Sequence, residues 1–210
     1  MNYSTLFRNS IFAFMKKILL LGALTIYSCV LFAQEKPEGL FINSKAPDFK
    51  AKDQSGIEVN LKDLRKKGPV VIVFYRGNWC PYCNRYLKKL EDSLQFIKEK
   101  GARLVAITPE KQEGIEKTIE KTNASFPILH DEELKIMKAY DVEYQLDDRT
   151  VGRYKNADID LAVINDKKNA NYLPVPAVYI VNKEGSIVYR FFDVDYKKRV
   201  SVKEILDNLK

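Results

Sequence analysis

Val70-Val71-Ile72-Val73-Phe74-Tyr75, then Arg76-Gly77-Asn78, then Trp79-Cys80-Pro81-Tyr82-Cys83 is the stretch whose reading decides the fold. Its first six residues are an unbroken β-branched and aromatic run preceded by Pro69, as expected of a strand buried on both faces of a parallel sheet. Beyond the cysteines, Leu87, Leu90, Leu94 and Ile97 recur at helical spacing. One helix is predicted over 80–100, ended by Gly101 as a C-cap. Two cysteines therefore stand at a strand-to-helix junction, with Pro81 at the helix start.

That placement carries chemistry. At a helix N-terminus the unpaired amides and the dipole favour an anion, so a thiolate is stabilised over the thiol. A second thiol one turn away can close a small ring onto the first and release whatever was attached to it. Cys80 and Cys83 thus read as a redox dithiol. Half a zinc site would need two more ligands, and beyond residue 33 the chain offers no other cysteine and only His130, with carboxylates as the remaining candidates. A structural disulfide would close too small a loop to gain much stability. Chance pairing of two core thiols fits poorly with the strand before them and Pro81 after. No metal or cofactor is called for.

The rest of the chain alternates in the same way. Residues 103–108 (RLVAIT) form a second buried strand, 112–123 an amphipathic helix through Ile115 and Ile119, and 126–129 a short extended piece. Asp131 is placed to cap a helix over Leu134, Met137 and Tyr140. The pattern then weakens over 143–173, with one short helix near 147–155; a stretch that long in a small domain usually carries function or a lid. Residues 178–181 and 187–192 read as a hairpin joined through Gly185, and Ser201 opens a last helix. Strand–helix–strand–helix, then a hairpin and a helix, is α/β with a mixed sheet.

Residues 1–33 stand apart. Lys16 and Lys17 precede an uncharged apolar run over 18–33, followed by Gln34-Glu35-Lys36, which is the pattern of a secretory signal peptide. Attachment of lipid at Cys29 ranks second and a retained N-terminal anchor third. Each places the domain at 34–210 outside the cytoplasm, in the periplasm, with the membrane met only through the N-terminal segment. The 210 residues carry 35 Lys and Arg against 28 Asp and Glu, a net charge of +7. Setting 1–33 aside leaves +4, with the charges mixed along the chain as on solvated helix faces, so no nucleic-acid partner is expected. At 46% apolar residues, disorder and low-complexity classes are excluded.

Several stretches resemble a known family. Ala46-Pro47-Asp48-Phe49, Val59-Asn60-Leu61, residues 126–131 (FPILHD), 138–142 (KAYDV) and 173–181 (LPVPAVYIV) are similar to the peroxiredoxin-like family, that of alkyl hydroperoxide reductase and thiol-specific antioxidant, within the thioredoxin-fold superfamily. The likeness runs over about 43–206 and implies a thioredoxin fold, a mixed central sheet flanked by helices. It also implies a peroxide or disulfide substrate and a thioredoxin-like reductant.

The family's Pro, Thr and attacking Cys fall at Arg76, Cys80 and Cys83, which makes Cys83 the peroxide-attacking thiol and Cys80 its resolving partner. Pro176 occupies the place of the family's arginine, leaving Arg76 or Arg199 to supply the positive charge. Thioredoxins instead carry a cis-proline there and a buried Asp six residues before the first Cys, a position held here by Phe74. Two mechanisms follow from this hybrid: peroxide reduction at Cys83, favoured by full-length resemblance, and protein thiol–disulfide exchange begun by Cys80, with a cis Pro176 shaping the groove. Trp79 and Tyr82 are candidates for a partner surface or for packing. His130 reads as finishing a turn, and Asp193 and Asp195 as weak metal candidates.

Overall fold

The computed structural model describes residues 36–209, so the expectations for the N-terminal 33 residues lie outside it. In chain order the elements are β1 (Lys50–Lys52), β2 (Glu58–Asn60), α1 (Leu61–Lys66), β3 (Val70–Phe74), α2 (Pro81–Asp92), α3 (Leu94–Glu99) and β4 (Arg103–Thr108). There follow α4 (Gln112–Thr122), β5 (Ile128–His130), α5 (Lys135–Ala139), β6 (Glu143–Gln145), α6 (Asp148–Lys155) and α7 (Leu161–Ile164). The chain closes with β7 (Tyr172–Pro174), β8 (Ala177–Val181), β9 (Ile187–Phe192) and α8 (Val202–Asn208). The central sheet has the order β5-β4-β3-β8-β9. Its β3–β4 and β4–β5 pairs are parallel, and β8 and β9 are antiparallel additions. The expected mixed α/β sheet is therefore present.

The apolar run of β3 serves both faces because side chains alternate along a strand. Val71, Val73 and Tyr75 enter a core with Leu87, Leu90 and Ile97 of α2 and α3, Ile115 of α4 and Ile205 of α8. Val70, Ile72 and Phe74 enter a second core with Leu61, Met137 and Tyr140. Both cysteines belong to the first core.

The helix predicted over 80–100 is broken at Ser93 (φ −111°, ψ 5°), which separates α2 from α3. The break keeps Leu94 and Ile97 on the core and leaves Phe96 exposed, before Gly101 closes α3 at φ +74°. The capping by Asp131 also differs in detail. A 3-10 turn, Glu132–Leu134, comes first, and the carboxylate reaches past it to accept from the amides of Ile136 at 2.8 Å and Met137 at 2.7 Å. Ser201 caps α8 as expected, accepting from the Glu204 amide.

The region over 143–173 is built rather than irregular. β6 and β7 pair antiparallel, with Tyr144 opposite Leu173. Between them α6 is capped by Asp147 and α7 by Asp160. Leu146, Leu161 and Leu173 form a satellite core of their own, against which Trp79, Val151, Tyr154 and Ile159 pack.

Asp131→Ala leaves two buried amides without acceptors. It is expected to lower the unfolding free energy by about 2 kcal/mol or more, read as a shift in the urea midpoint at unchanged slope.

Candidate active site

The chain leaves β3 at Phe74 and turns through residues 75–80 into α2, at the C-terminal edge of the parallel strands where α/β sheets place their sites. This turn is held from several sides. The Asn78 amide donates to both carboxylate oxygens of Glu110 (2.8 and 2.9 Å), and its side-chain amide donates to the same carboxylate at 2.6 Å. The Asn78 carbonyl accepts from Asn84 at 2.7 Å and from the Lys121 ammonium at 2.9 Å. Gly77 is required here: at φ +148°, a Cβ would lie 2.5 Å from Trp79 Nε1 and 2.7 Å from Glu110 Oε1.

The turn delivers Cys80 to the N-cap of α2, with Pro81 at the first helical position as expected. Both cysteines are free thiols and almost wholly covered, Cys80 at 1% exposure and Cys83 at 0%. Cys83 donates to Cys80 through its S–H and its backbone amide, and these bonds hold the Cys80 pKa down to about 6, against the opposing effect of burial. Arg76 and Arg199 add smaller favourable Coulombic contributions. Burial, followed by its hydrogen bond to the Cys80 sulfur and that sulfur's negative charge, raises the Cys83 pKa well above the ordinary thiol value. The pair thus holds one proton between two sulfurs, with the first negative charge favoured on Cys80.

Cys83 has its own cationic neighbour. The Arg199 guanidinium, from the segment between β9 and α8, donates to Cys83 Sγ at 3.3 Å, while its other nitrogen is fixed by the carbonyls of Tyr196 and Lys198 at 2.6 Å. The backbone amide of Arg76 also donates to Cys83. Of the two arginines expected to supply charge, Arg199 therefore reaches sulfur with its guanidinium and Arg76 with its main chain. The Arg76 side chain points into an aromatic cage, its guanidinium carbon 5.0 Å from the Trp79 ring centroid, 5.6 Å from that of Tyr154 and 4.3 Å from that of Tyr196. It also donates to the Tyr154 hydroxyl. Tyr82 meets Tyr196 edge-on at 5.9 Å and is covered by Arg85.

Pro176 corrects one expectation. It lies buried next to Ala177, which pairs with Phe74, so it sits at the cysteine end of the sheet, but its peptide bond is trans. The chain runs extended from β7 into β8, with the Val175 amide donating to the Val142 carbonyl at 2.8 Å, and no reversal occurs at this proline. His130 ends β5 rather than a turn, its Nδ1 2.7 Å from the Glu110 carbonyl. Asp193 pairs with Lys198 at 3.0 Å and accepts from the Asp195 amide, the pattern of a loop brace.

Sequence reasoning passed over Glu110, Tyr154 and Tyr196. Glu110 is completely buried, and burial lifts its pKa to about 7 although the bonds from Asn78 act to lower it. Its position just after a parallel strand was the available signal. The two tyrosines come from remote segments and carried none.

Comparison with known proteins bears on the family and the fold. The AhpC/TSA family matches residues 42–190. A thiol-disulfide oxidoreductase ResA from Geobacillus thermodenitrificans is 34% identical over 128 residues, 60% of this chain and 71% of its own. The peroxiredoxin Bcp of Bacillus subtilis is 29% identical over 172 residues, 80% of this chain and 94% of its own. Among solved structures, a peroxidoxin BcpB from Mycobacterium tuberculosis superposes with a TM-score of 0.61 at 19% identity, covering 80% of this chain and 95% of that one. The thioredoxin domain of a Bacteroides vulgatus thiol-disulfide oxidoreductase gives 0.55 at 18% identity, covering 81% and 99%. A mixed sheet that leads from its central strand into a dithiol at a helix start, together with a family match over most of the length, makes this chain a member of the AhpC/TSA family, a thiol oxidoreductase on the thioredoxin fold.

Proposed function

We propose that the domain over 34–210 reduces peroxides through Cys80 and Cys83 and is returned to the dithiol by a thioredoxin-like protein. The Arg199 guanidinium 3.3 Å from Cys83 Sγ carries this reading, because it stands where a peroxide oxygen would be held as the sulfur attacks. The near-complete burial of both sulfurs supports it too, since a small peroxide can enter where a protein disulfide cannot.

The shared proton gives the reaction its sequence. Transfer along the existing S–H···S contact moves the charge from Cys80 to Cys83, where Arg199 and the Arg76 amide receive it. Cys83 attacks one peroxide oxygen, and the electron pair enters the O–O bond and breaks it. The leaving oxygen takes the proton from Cys80 and departs as water, leaving a sulfenic acid on Cys83. Cys80, again a thiolate, attacks that sulfur and expels hydroxide, which solvent protonates. The resulting disulfide is opened by exchange with an external dithiol.

Thiol–disulfide exchange is the second reading, and the lowered pKa of Cys80 favours it. In that case Cys80 attacks a partner disulfide and Cys83 resolves the mixed disulfide. Export rests on the sequence: two lysines, an uncharged apolar run over 18–33, and polar residues from Gln34. Lipid attachment at Cys29 and a retained anchor are the alternatives, and the N-terminal peptide recovered from the cell envelope separates the three.

Single-turnover oxidation by hydrogen peroxide decides between the reactions. Rapid oxidation is expected to survive in Cys80→Ser with trapped sulfenic acid, to vanish in Cys83→Ser, and to slow roughly 10–100-fold in Arg199→Met. Uniformly slow, free-thiol-like oxidation in wild type and both cysteine variants would remove the peroxidase reading and leave disulfide exchange by Cys80. A lowered pKa populates the thiolate above its midpoint, so the thiolate absorbance of the reduced domain should rise as pH is raised through about 6. Cys83→Ala removes the donor that lowers Cys80, and the midpoint should move up by about one pH unit or more.

A further inference from the structure

At the end of the sheet opposite the cysteines, three lysines converge. Lys67 is the C-cap of α1, Lys100 the C-cap of α3, and Lys183 stands in the turn between β8 and β9. Together with Glu184 they line a hollow of about 420 Å³. Main-chain contacts bring these three elements together. Gly68 passes so close to Gly101 that a Cβ on it would lie 1.9 Å from the Gly101 carbonyl oxygen, and the Arg65 guanidinium donates to the Lys183 carbonyl at 2.8 Å.

The charge of the hollow is not used within the fold. Among the described residues none of the three lysines is in an ion pair, and neither is Glu184, so three lysines less one glutamate leave a net +2. The acids next to the first two lysines in sequence are engaged elsewhere: Asp63 pairs with Lys66 at 2.8 Å, and Glu99 accepts from the Gln95 side chain at 3.2 Å. A helix dipole accounts for a cation at each C-cap, but gives no reason for Lys183 to join them. Gathering like charges costs stability unless an anion offsets it. Beside them Phe96 is 56% exposed on α3, one turn before Lys100, whose amide donates to the Phe96 carbonyl. Lysines around an exposed aromatic ring suit the headgroup layer of a membrane, where the ring meets the acyl boundary and the ammonium groups meet phosphates.

We propose that this end of the domain docks on an anionic phospholipid surface, with Lys67, Lys100 and Lys183 on headgroup phosphates and Phe96 entering the layer between them. It is a membrane contact beyond the one expected of residues 1–33, and it is independent of the reaction at the cysteines. A single phosphate ion would leave most of the hollow to water and make no use of Phe96. β3 starts next to Pro69 on the wall of the hollow and ends at Phe74, before the dithiol turn, so the two sites stand roughly 15 Å or more apart along one strand. Docked through the lysines, the domain turns Cys80 and Cys83 toward the solution, where substrate and protein reductant arrive.

Vesicle binding tests this. Residues 37–210 form a compact unit that holds both cores, so the chain from Gln34 is used, free of the apolar run that would enter any bilayer. At low ionic strength it should bind vesicles containing roughly one-third phosphatidylglycerol about tenfold more tightly or better than vesicles of phosphatidylcholine alone, and lose the difference in high salt. Combining Lys67→Gln, Lys100→Gln and Lys183→Gln should weaken binding roughly 100-fold, about fivefold for each charge. The same change at Lys88, Lys138 and Lys203, which pair with Asp92, Glu143 and Asp207, should cost about threefold or less.

Brominated acyl chains report the orientation. Trp79, the sole tryptophan and part of the dithiol turn, should keep its fluorescence on the vesicle, whereas the emission added by Phe96→Trp should be quenched. Equal binding to the two kinds of vesicle, equal losses in the two triple variants, quenching of Trp79, or an unquenched Phe96→Trp would overturn the proposal. Displacement from vesicles by millimolar inorganic phosphate at matched ionic strength would overturn it too, by making the hollow a site for the free ion.

Discussion

The turn that carries the cysteines depends on a single buried acid. Glu110 accepts three hydrogen bonds from Asn78, two from its backbone amide and one from its side chain, and this clamp fixes the path from β3 to α2. Without it the Gly77–Asn78 segment has no reason to pass so close beneath Trp79, and Cys80 would lose its place at the helix N-cap. The glycine at 77 is the other half of the same constraint, because a side chain there would strike the carboxylate. Lys121 adds a bridge from α4 to both oxygens of Asn78, so the turn, the strand before it and two helices are set by one cluster of polar groups.

Charge within the site is arranged as a chain of mutual dependence. The thiol pair holds one proton, and each sulfur influences the other more directly than any distant group does. Two guanidinium groups then divide the work: Arg199 donates to Cys83, and Arg76 acts on the dithiol through its charge and its backbone amide. Glu110 lies beneath them, and burial, with a smaller contribution from the negative charge of Cys83, lifts its pKa to about 7, so that it is partly protonated at neutral pH. Low polarity around these groups strengthens every one of these terms.

The aromatic residues join this electrostatic centre to the outer parts of the fold. Trp79 belongs to the turn, Tyr154 to α6 and Tyr196 to the segment after β9, yet all three present a ring to the same guanidinium. Such an assembly is strongest where water is excluded, since a cation–aromatic contact weakens on exposure. Through Trp79 and Arg76 the 143–172 region is thereby seated on the turn that carries the cysteines.

Much of this was legible in the chain. The all-apolar run at 70–75 has to be a strand covered on both sides, and the spacing of Leu87, Leu90, Leu94 and Ile97 has to be helical, because period and composition are local properties. The cysteine pair at their junction follows from adjacency alone, as do the caps at Ser201 and Gly101. Where the sequence misled, the cause was tertiary: Ser93 breaks the helix so that both halves meet the core, and Pro176 lies in a continuous extended path that the thioredoxin comparison did not foresee. Only the folded chain could bring Arg199, 116 positions from Cys83, to its sulfur, or put Glu110 under Asn78 and Tyr154 against Arg76. Those meetings are set by sheet order and by the docking of loops. Local spacing determines which segments are strands and helices, and long-range packing determines which charge meets which thiol.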